Sequence, residues 1–170
     1  SNKLKGAGGW DVYYFDLYKE AQPDKILFIK GYVKDESDSI VPQVEVELKS
    51  LKSKEVKKIS VDSVTGKYAT IVSFNDDYIL TVKQEDKLPE VKYFAREDST
   101  LCEKTNTVNF NIQDIKTNVS FKINDIYFAT ASYELNNQSK AVIDEFVEFL
   151  KNNPNINIAI YGHTDDVGSD

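Results

Sequence analysis

Cysteine and histidine are nearly missing from this 170-residue chain, which has one of each, Cys102 and His163. A lone cysteine cannot close a disulfide within the chain, and a lone histidine cannot by itself assemble a zinc site. Cysteine usage therefore leaves the redox compartment open. Long hydrophobic runs are missing too. No stretch approaches the roughly 20 apolar residues that a transmembrane helix requires, and the opening Ser-Asn-Lys-Leu-Lys-Gly-Ala-Gly-Gly has no apolar signal core. As written, the sequence is expected neither to span nor to target a membrane. Basic residues are in deficit, 21 Lys and Arg against 28 Asp and Glu for a net charge of -7, which argues against a basic face for nucleic-acid phosphate. The deficit is lopsided. Residues 121–170 carry Lys122, Lys140 and Lys151 against eight acids, so -5 of the charge falls there and -2 in the first 120 residues. The length excludes a TIM barrel, and there is no internal repeat or low-complexity tract.

What is present suits folding: 41% hydrophobic, 12% aromatic and 29% charged residues make a packed core with a soluble surface. Residues 1–25 carry a glycine turn and then the β-favouring run from Trp10 to Leu17. It either pairs with the domain that follows or ends something upstream. From Ile26 the pattern becomes short period-two stretches separated by polar turns, as in an antiparallel sheet with one wet face. Val44, Val46 and Leu48 alternate with Glu45, Glu47 and Lys49. Tyr78, Leu80 and Val82 alternate with Ile79, Thr81 and Lys83. Further strands are expected over 26–34, 56–61 and 67–73, so 26–95 reads as a small β-sandwich. Residues 96–117 read as a connector with one strand at 107–112.

The period then changes. Val119, Phe121 and Ile123 predict a strand face. Ile143, Phe146, Val147 and Leu150 fall at i, i+3, i+4 and i+7 of a helix over 137–152, with Lys140, Asp144, Glu145, Glu148 and Lys151 on its polar side. Pro154 ends it, and Ile156, Ile158 and Ile160 predict another strand. The whole chain is therefore expected to be mainly β, with a partial α/β unit of β-α-β form in 118–170.

The chemistry-bearing stretch is Gly162-His163-Thr164-Asp165-Asp166-Val167-Gly168-Ser169, placed just past the last predicted strand, where ligands of α/β units usually sit. By itself it reads either as a glycine-flanked acidic turn or as a ligand loop. His163 has no second histidine or nearby cysteine for a metal. Asp165, Asp166 and a serine are too few of the 6 to 8 oxygens that calcium takes. No nucleophile, base and orienting partner can be assembled, so the chain is expected not to be an enzyme and to need no cofactor.

Residues 119–170 resemble the first half of the OmpA-like (OmpA C-terminal, MotB and Pal) peptidoglycan-binding domain. The resemblance rests on Ile126-Tyr127-Phe128 through Tyr133-Glu134-Leu135, the helix, Asn153-Pro154, and the Gly-His-Thr-Asp-x-x-Gly element. It implies that Asp165, beside Thr164, pairs with the ammonium of the diaminopimelate stem peptide. Backbone N–H groups of Phe128, Ala129, Thr130 and Ala131 would receive that ligand's carboxylate. Many members have aspartate where Ala129 stands. The family pattern continues with a helix bearing Asn-x-x-Leu-Ser-x-x-Arg-Ala, whose arginine completes the ligand clamp. That helix would follow Asp170, so the sequence is expected to stop inside the domain and, by itself, to bind weakly.

Gly31-Tyr32-Val33-Lys34-Asp35, Pro42, Val44 through Leu48, and Asp62 with Gly66-Lys67-Tyr68 are similar to the carboxypeptidase regulatory-like β-sandwich, of Ig-like or prealbumin-like form, a noncatalytic spacer or interaction module. The segment from Gly8 to Leu17 resembles the last strand of a β-propeller blade in Bacteroidetes-type multidomain envelope proteins. Together these imply a periplasmic, outer-membrane-associated anchor. Its partners would be peptidoglycan and outer-membrane or secretion-complex proteins, its membrane attachment a lipid on upstream sequence, and nucleic acid would not be among them. The alternative is a protein-interaction scaffold whose OmpA-like segment does not bind.

Overall fold

A computed structural model describes residues 14–18, 21–117, 120–128 and 132–161. Eight strands and one α-helix follow in order: β1 Ile26–Asp35, β2 Glu45–Ser50, β3 Val56–Ile59, β4 Lys67–Ser73, β5 Tyr78–Lys83, β6 Glu90–Phe94, β7 Asn106–Thr107, β8 Phe110–Ile112 and α1 Asn137–Asn152. They form two sheets. In one, β1 is central, antiparallel to β4 and parallel to β7 and then β8 along its other edge. The other is antiparallel throughout, in the order β3-β2-β5-β6. The expected run of strands is thus present and the protein is mainly β. Beyond the five strands expected within 26–95, residues 90–94 add an edge strand, β6, that alternation does not mark.

The core lies between the sheets. Leu27, Ile29 and Val33 of β1 meet Val46 and Leu48 of β2, Leu80 and Val82 of β5, Phe94 of β6, and Phe110 and Ile112 of β8. Side chains alternate across a strand, so the inward set of β1 is Leu27, Ile29, Gly31 and Val33. Gly31 is needed where the parallel partner changes from β7 to β8. A Cβ there would lie 1.6 Å from the Val108 carbonyl oxygen. That oxygen instead accepts the Tyr68 hydroxyl at 2.7 Å, which gives this buried phenol a partner.

The Asp-x-x-x-Gly spacing before Tyr68 acquires a mechanism. Asp62 Oδ1 accepts from the Val64 and Thr65 N–H groups and the Thr65 hydroxyl, and the Gly66 N–H donates to the Asp62 carbonyl. Gly66 closes the turn at φ +68°, where a side chain would be strained. The Thr65 hydroxyl bond and these N–H bonds hold the Asp62 carboxyl below its ordinary range.

Three expectations are corrected. The strand expected at 107–112 is present as β7 and β8, but 96–117 is part of the sandwich rather than a connector after it, because both strands pair with β1 and bring Phe110 and Ile112 into the core. Residues 121–123 form no strand, and neither do 156–160, so no β-α-β ladder is made among the described residues. A strand exists only as part of a paired ladder, and among the described residues these segments pair with none. Alternation leaves Ile160 87% exposed. Finally, the second sheet does not have a wet outer face throughout, since Ile79 and Thr81 of β5 are as buried as its inward residues.

Candidate functional site

The covering of that outer face positions the region that carries the motif residues. Helix α1 starts on Asn136, whose side-chain oxygen accepts the Ser139 N–H at 2.8 Å, and stops before Pro154, with Lys151 in its last turn. It lies over β5 and β6. The buried stripe is Ser139, Val142, Glu145 and Phe146; of the expected Ile143, Phe146, Val147 and Leu150 it shares only Phe146. The two stripes lie roughly a quarter turn apart on the helix. Val147 is left 38% exposed.

Glu145, expected on the polar side, is 3% exposed. Its Oε1 accepts from Lys49 Nζ at 2.7 Å, and its Oε2 lies 3.5 Å from the Thr81 hydroxyl and 3.6 Å from Lys83 Nζ. Burial works against the charged form of Lys83. The hydrogen bond to Glu47, with the charges of Glu145, Glu47 and Glu148, nevertheless holds its pKa above the ordinary lysine value. The signal that marks this stripe in the sequence is a second apolar row, Val142, Phe146 and Phe149 at i, i+4 and i+7, running beside the one that alternation favours.

The approach to the helix is equally specified. Asp125, at φ +61°, turns its carboxylate back onto β6, where Lys92 Nζ donates to both oxygens at 3.1 and 3.0 Å. Phe121 packs on Phe146 at 5.3 Å between ring centroids. The buried Ser139 hydroxyl accepts the Tyr127 N–H at 2.6 Å and donates to the Tyr127 carbonyl at 2.7 Å, which leaves neither hydroxyl role unused. One residue further on, Phe128 makes an isolated bridge with Leu135, and its ring is 61% exposed. Tyr127 and, through it, the start of this stretch are thus tied to the first turn of α1.

Of the sequence-predicted site residues, Phe128 stands next to the Tyr127–Ser139 clamp and bridges to Leu135. Ala129, Thr130, Ala131, Thr164 and Asp165 lie outside the described residues, as do His163 and Asp166. Among the described residues no group of three or more His, Cys, Asp or Glu is placed to hold a metal ion, and no helix is long and apolar enough to cross a membrane. A cleft of about 190 Å³ opens between the β5–β6 turn and the end of α1, lined by Lys83, Lys87, Glu148 and Asn152 among others. It is smaller than the roughly 300 Å³ at which small-molecule pockets begin.

Residues 127–170 match the OmpA family. The match begins at the Tyr127–Ser139 clamp and runs through α1 to the last residue of the sequence, and it supports an OmpA-family domain in this part of the chain. Domains of that family point in general to the cell envelope and to a peptidoglycan-binding or anchoring role. No curated protein matches the chain. Among solved structures, chlorocatechol 1,2-dioxygenase from Pseudomonas putida is 11% identical with a TM-score of 0.40, over 53% of this chain and 61% of that one. The 3-chlorocatechol 1,2-dioxygenase from Rhodococcus opacus 1CP is 10% identical with a TM-score of 0.40, over 57% and 62%. The chain thus spans under two thirds of either enzyme, and likeness this distant bears on neither family nor activity.

Proposed function

We propose that the protein is a noncatalytic anchor of the cell envelope. The OmpA-family region binds the diaminopimelate stem peptide of peptidoglycan, and the two-sheet unit, a carboxypeptidase regulatory-like sandwich, serves as spacer or interaction module. The observation that carries this reading is the family match over 127–170, which includes the Gly-His-Thr-Asp-x-x-Gly loop. In that loop Asp165 supplies a carboxylate for the ligand ammonium, a charge-assisted hydrogen bond about twice as strong as a neutral one. Backbone N–H groups from Phe128 to Ala131 supply donors for the ligand carboxylate. Phe128 is itself held by its bridge to Leu135 and follows Tyr127, which Ser139 binds, so the start of that stretch has less conformational entropy to lose on binding. The setting is the periplasmic side of the outer membrane, with lipid attachment through upstream sequence, as in the Bacteroidetes-type envelope proteins that the opening segment resembles.

The test is co-sedimentation of the protein, carrying its natural flanking sequence, with purified sacculi. Binding that drops about tenfold or more in Asp165→Ala supports the reading. No binding, or binding indifferent to that substitution, overturns it in favour of a protein-interaction scaffold.

A further inference from the structure

The unit that precedes the OmpA-family region closes its core without help. The buried apolar cluster between the sheets draws on all the longer strands and on β8, and takes nothing from α1. Helix α1 instead rests on the opposite face of β5 and β6, through a small seat whose buried residues are Ile79 and Thr81 of the sheet and Val142, Glu145 and Phe146 of the helix. We infer that the 120–152 segment is a separable element, docked on the sandwich by a charge-keyed contact and able to open as a unit while both sheets stay folded.

The key is the sign pattern across the contact. Each acid comes from the acidic last third and each lysine from the sheet: Glu145 meets Lys49 and Lys83, and Asp125 meets Lys92. On the sheet side the charges continue as a ladder, with Lys83 3.2 Å from Glu47 and Glu47 3.8 Å from Lys58. Opening therefore leaves no buried ion alone. Lys83 keeps Glu47, while Lys49 and Glu145 both pass into water. A shifted or rotated docking would bury Glu145 without an ammonium, which is far more costly than solvating the pair. The contact is thus cheap to release and strict in register, and it sets how the OmpA-family region sits on the sandwich, whatever ligand that region takes. Elements with few buried apolar contacts open below the global unfolding free energy.

Native-state hydrogen exchange on the whole chain tests this. The α1 amides are expected to exchange through an opening that leaves β1 and β5 protected. Lys49→Met, which removes the 2.7 Å partner of the Glu145 carboxylate and leaves it only the 3.6 Å contact with Lys83 and the Thr81 hydroxyl, should speed α1 exchange by about a hundredfold with β1 unchanged. The apolar pair Lys49→Met with Glu145→Leu should return to within about tenfold of the parent, since paired ions can be replaced by apolar groups at little cost. The β1 amides report whether each variant is folded. Unprotected α1 amides in the parent, α1 and β1 opening together, an α1 unmoved by Lys49→Met, or a double variant no better than the single would each overturn the inference.

Discussion

At Gly31 a single hydrogen atom lets one strand serve two parallel partners in succession. The Val108 carbonyl passes within what would be the radius of a methyl group, and the Tyr68 hydroxyl then uses it as acceptor. Gly31→Ala should accordingly cost about 3 kcal/mol, read as a lower urea midpoint at unchanged slope, because the obstacle is backbone and cannot rotate away. Asp76 is a second residue whose surroundings decide its behaviour. Burial raises its pKa, but the Ser50 hydroxyl and the Lys52 and Asp77 N–H groups donate to its carboxylate and hold the pKa below the ordinary 3.8. A folded pKa below the unfolded one contributes stability that is present above 3.8 and is lost as pH falls through the folded value. Asp76→Asn should flatten the acid limb of the stability–pH curve in that window, and an unchanged acid limb would show that these bonds add nothing. The Asp62 turn and the core tyrosines were readable from residue types alone. The need for Gly31 was readable only as a glycine in a strand.

At the scale of elements, β1 to β5 lie where alternation places them, and α1 spans the same residues that its periodicity and its Pro154 stop predict. The strand expected at 107–112 is present as β7 and β8, but its place is not legible. Two and three residues long, they show no face of their own, and it is β1 that takes them into the sandwich. Phe110→Ala is the check. As part of the sandwich core it should destabilise the protein by roughly 3–5 kcal/mol in thermal or chemical unfolding, whereas a residue in a loose connector would cost almost nothing. The isoleucines at 156, 158 and 160 make the reverse case: they alternate perfectly, yet pair with no strand among the described residues. Alternation reports which face a side chain would take, not whether a partner exists.

For the molecule as a whole, the charge asymmetry acquires a use. The acidic last third is not only a solvated surface, because two of its acids are inserted against lysines of the second sheet. Binding and stability should then separate cleanly. Asp165→Ala is expected to leave the thermal midpoint within about a degree of the parent while sacculus binding falls about tenfold or more, because a residue that serves the ligand and not the fold changes stability by no more than about 0.5 kcal/mol. A large fall in the midpoint would assign that aspartate to folding instead. The sequence by itself determined the strands with clear alternation, the bounds of α1, the turn chemistry at Asp62 and Gly66, and the OmpA-like motif, because each depends on residues a few positions apart. Tertiary structure alone decided that β8 joins β1, which stripe of α1 is buried, and that Glu145 is an interior charge. Those outcomes depend on which surfaces meet across nearly a hundred residues of chain, as Lys49 and Glu145 do with a separation of 96, and no local pattern encodes that meeting.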